Sequence, residues 1–397
     1  MTNAEMDSMA AELKRFARKE AEPGVLAADD KRDAGWIAGL WKKSLSLDLP
    51  LLTVPEKFNG AGGDDLCAAQ AVNTLGECCA ALASAFAFHF AACRAISALG
   101  EKSAIKGRIF SEASNKNDPA IFTLAPPDPS CGQFFKIIRK NGAAEISGSC
   151  PAAGNAALAN YFLFFAKDEA GTENLVLVPR GIKGFHLGAD PLFPGLCANP
   201  LLPVSLDGVS LGVSNSESAL GENMGLLLES GVLAEKILEA ARNAFFGFTA
   251  AIAVGLSNAA FNAAYKYAQS RYQFGKIIVF HSEIQRMLGK MLQTINVGTA
   301  AWQKVFSDSP VSGQNVGNDP GLFAKAWCAD AALVAASDCV QIFGGYGVMH
   351  EYGMEKRMRD AKMLQLLGGP TPWLLIESVT ARLFANVRQT GKKNDGT

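Results

Sequence analysis

The stretch Gln341-Ile-Phe-Gly-Gly-Tyr-Gly-Val-Met-His-Glu-Tyr-Gly-Met-Glu-Lys-Arg-Met-Arg-Asp360, continued by Ala361-Lys-Met-Leu-Gln-Leu-Leu-Gly-Gly-Pro-Thr371, decides how this chain is read. It opens on the amide Gln341, followed by Gly344 and Gly345, a backbone without side chains that a ligand can approach closely. A Gly-Gly pair alone would equally well form a plain turn. Arg357, Arg359 and Asp360 then concentrate charge on a short segment, where their expected role is an ion-pair network that fixes a helix. The segment ends at Gly368-Gly369-Pro370, three residues whose side chains can move no proton.

Outward from this stretch the chain changes character twice. In the first third Leu13, Phe16, Ala17 and Ala21 recur at helical spacing, with Trp36, Leu40 and Trp41 on the next apolar stripe. A turn-rich loop, Val54 to Asp64, precedes a further helical run from Cys67 to Leu99. In the middle third Phe134–Ile138 and Ala144–Ser147 flank Asn141-Gly142, the turn dipeptide of a hairpin. Tyr161–Phe165, Leu175–Val178 and Leu201–Leu206 are further short apolar runs bounded by Gly, Pro, Asp and Asn, so a compact β domain is expected. The last third returns to helices. Ala250, Ala251, Ala253, Gly255, Ala259, Ala260, Ala263 and Ala264 allow close helix approach, and Ile284, Met287, Leu288, Met291, Leu292 and Ile295 form one stripe. Asp319-Pro320 reads as the N-cap and first position of another helix. The expected fold is α+β: an N-terminal helical domain over residues 1–118, a middle β domain over 119–228 and a C-terminal four-helix bundle over 229–397.

Composition narrows the function classes. Of 397 residues 49% are hydrophobic and 19% charged, and the formal net charge is -1, which argues against a nucleic-acid partner. The sparse charge and abundant Ala, Gly and Leu suit either extensive subunit interfaces or an Ala-rich helical core. Residues 1–14 are polar and mixed in charge, unlike a signal peptide, and no uninterrupted apolar run reads as a membrane span. The nine cysteines are scattered without a Cys-x-x-Cys pattern, as expected of buried free thiols in a reducing cytoplasm.

The stretch from Gln341 to Lys362 resembles the signature region of the flavin-dependent acyl-CoA dehydrogenases. So do Pro55-Glu-Lys-Phe-Asn-Gly-Ala-Gly-Gly63, similar to that family's Pro-Glu-x-x-Gly-Gly loop, and Arg271-Tyr-Gln-Phe-Gly-Lys276, similar to the Arg-x-x-Phe-Gly motif that ends its long helix. The resemblance spans nearly the whole chain and implies the three-part fold just described. It also implies FAD shared across a subunit interface, with the isoalloxazine half held by one subunit and the ADP half gripped by its neighbour.

The departures from the family pattern fall on one side of that cofactor. Gly368 and Pro370 stand where the family has the Glu and Thr of Glu-Gly-Thr, the Glu being its catalytic base. Some members carry the base instead on the long helix, at the position of Phe245, beside Phe246. Leu124-Ala-Pro-Pro-Asp-Pro-Ser130 replaces a Thr-Glu-Pro-x-x-Gly-Ser-Asp flavin loop, and proline has no N–H to donate. Ala152-Ala-Gly-Asn155 replaces Trp-Ile-Thr-Asn, whose Thr bonds the reactive flavin nitrogen. Glu235 and Glu239 lie about two helical turns from the second base position, and Glu377 is expected on a helix surface. The ADP-side residues are all present: Arg271, whose planar guanidinium suits two phosphate oxygens, Gln273, Phe274, Gln341, Gly344 and Gly345.

The resemblance therefore implies a non-catalytic subunit of a heteromeric acyl-CoA dehydrogenase. Two such chains and two copies of a homologous catalytic partner would oxidise an acyl-CoA and pass electrons to an electron-transfer flavoprotein. Two alternatives stay open at this point: a self-sufficient homotetramer with an unorthodox base, and a flavin-free scaffold on the same fold.

Overall fold

The computed structural model describes residues 3–100, 104–115, 118–125, 134–140, 143–213, 224–307 and 319–394. Helices α1 (Asn3–Phe16), α2 (Val25–Lys31), α3 (Ala34–Ser44), α4 (Asp65–Cys78), α5 (Ala80–Ser97) and α6 (Ala104–Ala113) form the first part. Asp33 and Asp64 cap α3 and α4 by accepting the amides of Trp36 and Cys67. α5 is buried along nearly its whole length, and Trp41 from α3 stacks on its Phe86 at 4.4 Å.

Eight strands follow: β1 (Phe122–Ala125), β2 (Phe134–Lys140), β3 (Ala143–Ala153), β4 (Tyr161–Asp168), β5 (Glu173–Pro179), β6 (Phe185–Leu187), β7 (Leu202–Val213) and β8 (Gly225–Ser230). Their order β1-β4-β2-β3-β7-β8-β5, with β5 returning to β4, closes the sheet into a ring, and β6 lies on β7. β4 and β5 are buried on both faces, which is why they read as continuous apolar runs instead of alternating ones. The expected hairpin is β2 against β3, Phe134 opposite Ser149 and Lys140 opposite Ala143. Its turn residues Asn141 and Gly142 lie outside the described residues, as does the whole of Pro126–Ser130.

The 39-residue α7 (Val232–Ser270) is the spine of the last part and packs on α4 and α5 as well as on α8 (Ser282–Ser307) and α9 (Pro320–Phe343). α10 (Met354–Leu366) and α11 (Thr371–Asn394) follow, and a small ribbon of β9 (Tyr272–Gln273) and β10 (Lys276–Ile277) links α7 to α8. The small residues of α7 serve the close approach expected of them: a Cβ on Gly255 would sit 2.1 Å from the Asn73 carbonyl oxygen of α4. Asp319 caps α9 through the Leu322 amide at 3.0 Å, with Pro320 at the first helical position.

Three expectations need correction. The run from Cys67 to Leu99 is two helices, not one, because Cys79 takes an extended backbone (φ -154°, ψ 114°) with its thiol buried near Lys356. A continuous Ala-rich pattern carries no mark of such a break. Leu292 is exposed at the rim of the α8 stripe, while Met287, Leu288 and Met291 are buried. Segments 80–97, 232–270 and 320–348 are long and apolar enough to cross a bilayer, contrary to the sequence reading. The most apolar windows of the first two are 89% and 83% buried inside this fold, as central helices packed on several sides must be. None of the eight cysteines among the described residues forms a disulfide.

Candidate functional site

Two groups of residues bear on function, and they lie in different surroundings. The first surrounds Gly368. α10 ends two residues earlier, at Leu366, and the chain turns through Gly368 (φ 68°) and Gly369 (φ 115°), left-handed values that favour glycine. A Cβ on Gly368 would lie 2.8 Å from Phe246 Cε1 and 3.1 Å from Phe245 Cε1. The two positions where the resemblance puts a base, 368 and 245, thus converge on one spot, and both are occupied by groups that cannot take a proton.

The end of β3 reaches the same aromatic cluster. A Cβ on Gly154 would lie 2.0 Å from Phe88 Cε2, and the Phe88 and Phe245 rings stand 4.9 Å apart. Asn155, retained from the family pattern, is fully buried with φ 54° and works internally. Its Nδ2 donates to the Ala85 carbonyl (2.8 Å) and its Oδ1 accepts from Asn199 Nδ2 (2.9 Å), which ties the β domain to α5. Thr123 Oγ1 donates to the Gly154 carbonyl at 2.7 Å.

The three carboxylates considered as replacements for the base all lie elsewhere. Glu235 and Glu239 are exposed on α7, whereas Phe245 is buried on it. Glu377 is more than the surface carboxylate expected: it clamps Arg242 with two bonds of 2.6 and 2.5 Å, joining α11 to α7, and the Arg242 guanidinium lies 5.1 Å over the Phe246 ring. Packing of α11 across α7 created that pair, and helical spacing alone gave no sign of it.

A second residue escaped the sequence reading. Lys325 is fully buried, and its Nζ donates to the carbonyls of Gln365 (2.7 Å) and Gly369 (2.6 Å). It gathers the last turn of α10 and the turn after it, a favourable place for a cation at a helix C-terminus. A single charge inside the apolar stretch Pro320–Cys328 was the signal available.

The second group stands at the far end of α7. Arg271 follows the helix directly, and β9 and β10 pair around Phe274 (φ 53°) and Gly275 (φ 81°), the two positive values of a primed hairpin turn. α9 ends alongside, where Tyr267 stacks on Phe343 at 4.3 Å and the Arg271 guanidinium lies 5.9 Å from the Tyr346 ring. The fold therefore brings Arg271 beside the end of α9, where Gln341, Gly344 and Gly345 lie, and carries Gln273 and Phe274 on the ribbon that follows Arg271. Among the described residues Arg271 forms no ion pair with a carboxylate. Gly344 (φ 59°) and Gly345 have open space where a Cβ would point, and Phe274 is 91% exposed. This corner could receive a phosphate-bearing, flat-faced ligand; at Gly368 the rings of Phe245 and Phe246 already press on the backbone.

Between the two groups, α10 carries the expected ion-pair network through Arg359 and Asp360 but, among the described residues, not through Arg357, and it has an addition. Lys356, absent from that expectation, is buried and bonds Asp360 at 2.5 Å, with Asp29 at 3.7 Å. Arg359 pairs with Asp29 (2.8 Å) and Glu355 (2.6 Å), while Arg357 donates to the Gly353 carbonyl. Asp360 also accepts the Leu196 amide at 2.7 Å, which locks α10 to the β domain. Burial alone would push the Lys356 ammonium down, but Asp360, Cys79 and Asp29 outweigh it and the net shift is upward. Lys356 is a structural cation, held protonated.

Comparison with known proteins agrees with this architecture. Residues 3–109 match the family model described as acyl-CoA dehydrogenase, N-terminal domain, and residues 246–383 match the one described as acyl-CoA dehydrogenase, C-terminal domain. An acyl-CoA dehydrogenase of Bacillus subtilis is 27% identical over 368 residues, which cover 90% of this chain and 92% of that protein. Butyryl-CoA dehydrogenase from Megasphaera elsdenii superposes with a TM-score of 0.82 at 24% identity, covering 96% of this chain and 99% of that one. A glutaryl-CoA dehydrogenase from Mycobacterium smegmatis in complex with FADH2 gives 0.81 at 17% identity, covering 96% and 95%.

Proposed function

Because this chain belongs to the acyl-CoA dehydrogenase family, we propose that it is the non-catalytic subunit of a heteromeric acyl-CoA dehydrogenase and completes the FAD site of a homologous catalytic partner. The observation that carries this reading is the contrast between its two corners. The base positions are glycine and phenylalanine packed against each other, whereas of the ADP-side residues Gln273, Phe274, Gln341, Gly344 and Gly345 are exposed and Arg271 is half-buried with no carboxylate partner among the described residues.

In this reading Arg271 neutralises pyrophosphate charge, its planar fork matching two phosphate oxygens. Gly344 and Gly345 let the dinucleotide approach the backbone, Gln341 and Gln273 supply amides, and Phe274 offers an apolar face that its own chain leaves in water. FAD held there would supply the hydride acceptor, while the partner chain would supply the carboxylate that removes the α-proton of the acyl-CoA, giving the 2,3-enoyl-CoA. A carboxylate of tuned pKa is required for that step, and Gly368 and Phe245 carry none. Electrons then leave through an electron-transfer flavoprotein, and the free thiols suit a cytoplasmic setting.

The test is co-expression with a homologue carrying an intact Glu-Gly-Thr, followed by flavin quantification. The expected assembly holds two chains of each kind and about one flavin per pair, while this chain alone purifies colourless. Stoichiometric flavin in the lone chain, with turnover of an acyl-CoA, would refute the proposal.

A further inference from the structure

Gly154 and Gly368 are 214 positions apart in sequence, yet a continuous wall of rings joins them. Phe88 comes from α5, and Phe245 and Phe246 come from α7. All three are buried, at 3%, 1% and 0% exposure. Phe88 presses on Gly154, Phe245 stands 4.9 Å from Phe88 and 6.3 Å from Phe246, and both α7 rings press on Gly368. At each end the ring takes volume that a side chain on the glycine would need. The outer side is closed as well, because Arg242 covers the Phe246 ring and is itself clamped by Glu377.

We infer that Phe88, Phe245 and Phe246 form a plug that has taken the ligand's place in this chain's own site, so that the fold is completed by its own side chains without flavin or acyl chain. This deepens the reading under "Proposed function" and rests on it for the identification of Gly154 and Gly368 with the flavin-side and base positions. Residues present there do not fit the cofactor: a ring stack needs open apolar walls and a polar edge, and the walls here already touch. Protein interiors at normal packing density leave no space for a second tenant without removing one of the rings. Loss of the base and filling of the cavity are then two parts of one change, since an empty apolar pocket would cost stability that the rings restore.

The plug is tested on the full-length chain by a double-mutant cycle and a small apolar probe. Gly154→Ala lowers the urea midpoint in the wild-type background, because its methyl group meets the Phe88 ring. In the Phe88→Ala background the same change is neutral or stabilising, so the two effects are strongly coupled. Benzene raises the melting temperature of Phe88→Ala and Phe245→Ala saturably and leaves the wild type unmoved, as expected for a dry cavity opened by removing a ring. Should the Ala variants not fold, Phe88→Leu carries the same cycle with a smaller hole. Additive effects across the cycle, or saturable benzene binding by the wild type equal to that of the variants, would overturn the plug. Those outcomes leave the flavin count of the heteromer untouched, whereas flavin in every chain of the heteromer would refute the division of labour itself.

Discussion

Replacing Gly368 with glutamate puts a carboxylate at a position where the family resemblance places the base, and the structure predicts loss of stability without gain of activity. Gly368 has φ 68°, a conformation in which an L side chain costs about 1–2 kcal/mol. The new Cβ would lie 2.8 Å from Phe246 Cε1 and 3.1 Å from Phe245 Cε1, and forcing such a fit in a packed region costs about 1–3 kcal/mol. Both rings are at most 1% exposed, and Phe246 is held from behind by Arg242, so neither yields cheaply. Together these give Gly368→Glu a destabilisation of about 2–5 kcal/mol, large beside typical stabilities. Urea unfolding of the variant chain measures this directly, and acyl-CoA turnover of the heteromer carrying it is expected to stay at the wild-type level. The matching control removes the glutamate of the partner's Glu-Gly-Thr and abolishes turnover. Unchanged stability together with turnover raised several-fold would refute the reasoning, because a working flavin would then have to lie beside residue 368 of this chain.

Arg271→Ala leaves the lone chain's stability nearly unchanged, since among the described residues the guanidinium has no ion pair to lose; flavin retention by the heteromer weakens by about 1.5–3 kcal/mol if a charged hydrogen bond to phosphate is removed. Equilibrium dialysis of FAD against the heteromer checks this, and undiminished retention would remove Arg271 from the site. Lys325→Met orphans the Gln365 and Gly369 carbonyls and should cost about 2–5 kcal/mol in unfolding free energy, against under 1 kcal/mol if those groups find water. His89 is fully buried, accepts the Phe122 amide at Nδ1 and lies 3.0 Å from the Pro50 carbonyl at Nε2; burial pushes its pKa from 6.5 down to about 4. The unfolded chain therefore takes up this proton first. The stability it contributes is complete above about pH 6.5 and is lost as pH falls toward about 4, on the order of 3 kcal/mol in all. Comparing wild type with His89→Gln by urea unfolding at pH 7 and pH 4.5 isolates this group, and identical pH slopes would exclude it.

Much of this protein was legible in one dimension because the relevant signals are local. Asp319-Pro320 as a helix start, Asn141-Gly142 between two strands, and the small residues from Ala250 to Ala264 each depend on a few neighbouring residues, and the elements beside them formed as read. That residues 245 and 368 can take no proton was equally plain, since a phenylalanine or glycine is inert in any fold. Pairings across the chain were not legible. Cys79 breaks a helix that its own neighbours would continue, Glu377 looks like a surface carboxylate until α11 crosses α7, and Lys325 is a stray charge until the carbonyls of Gln365 and Gly369 meet it. Phe88 drew no notice among the alanines of α5, because only the tertiary fold sets it against Gly154 and Phe245. Residue identity determines which chemistry a position can perform; packing, which brings together groups hundreds of residues apart, decides whether there is space in which to perform it.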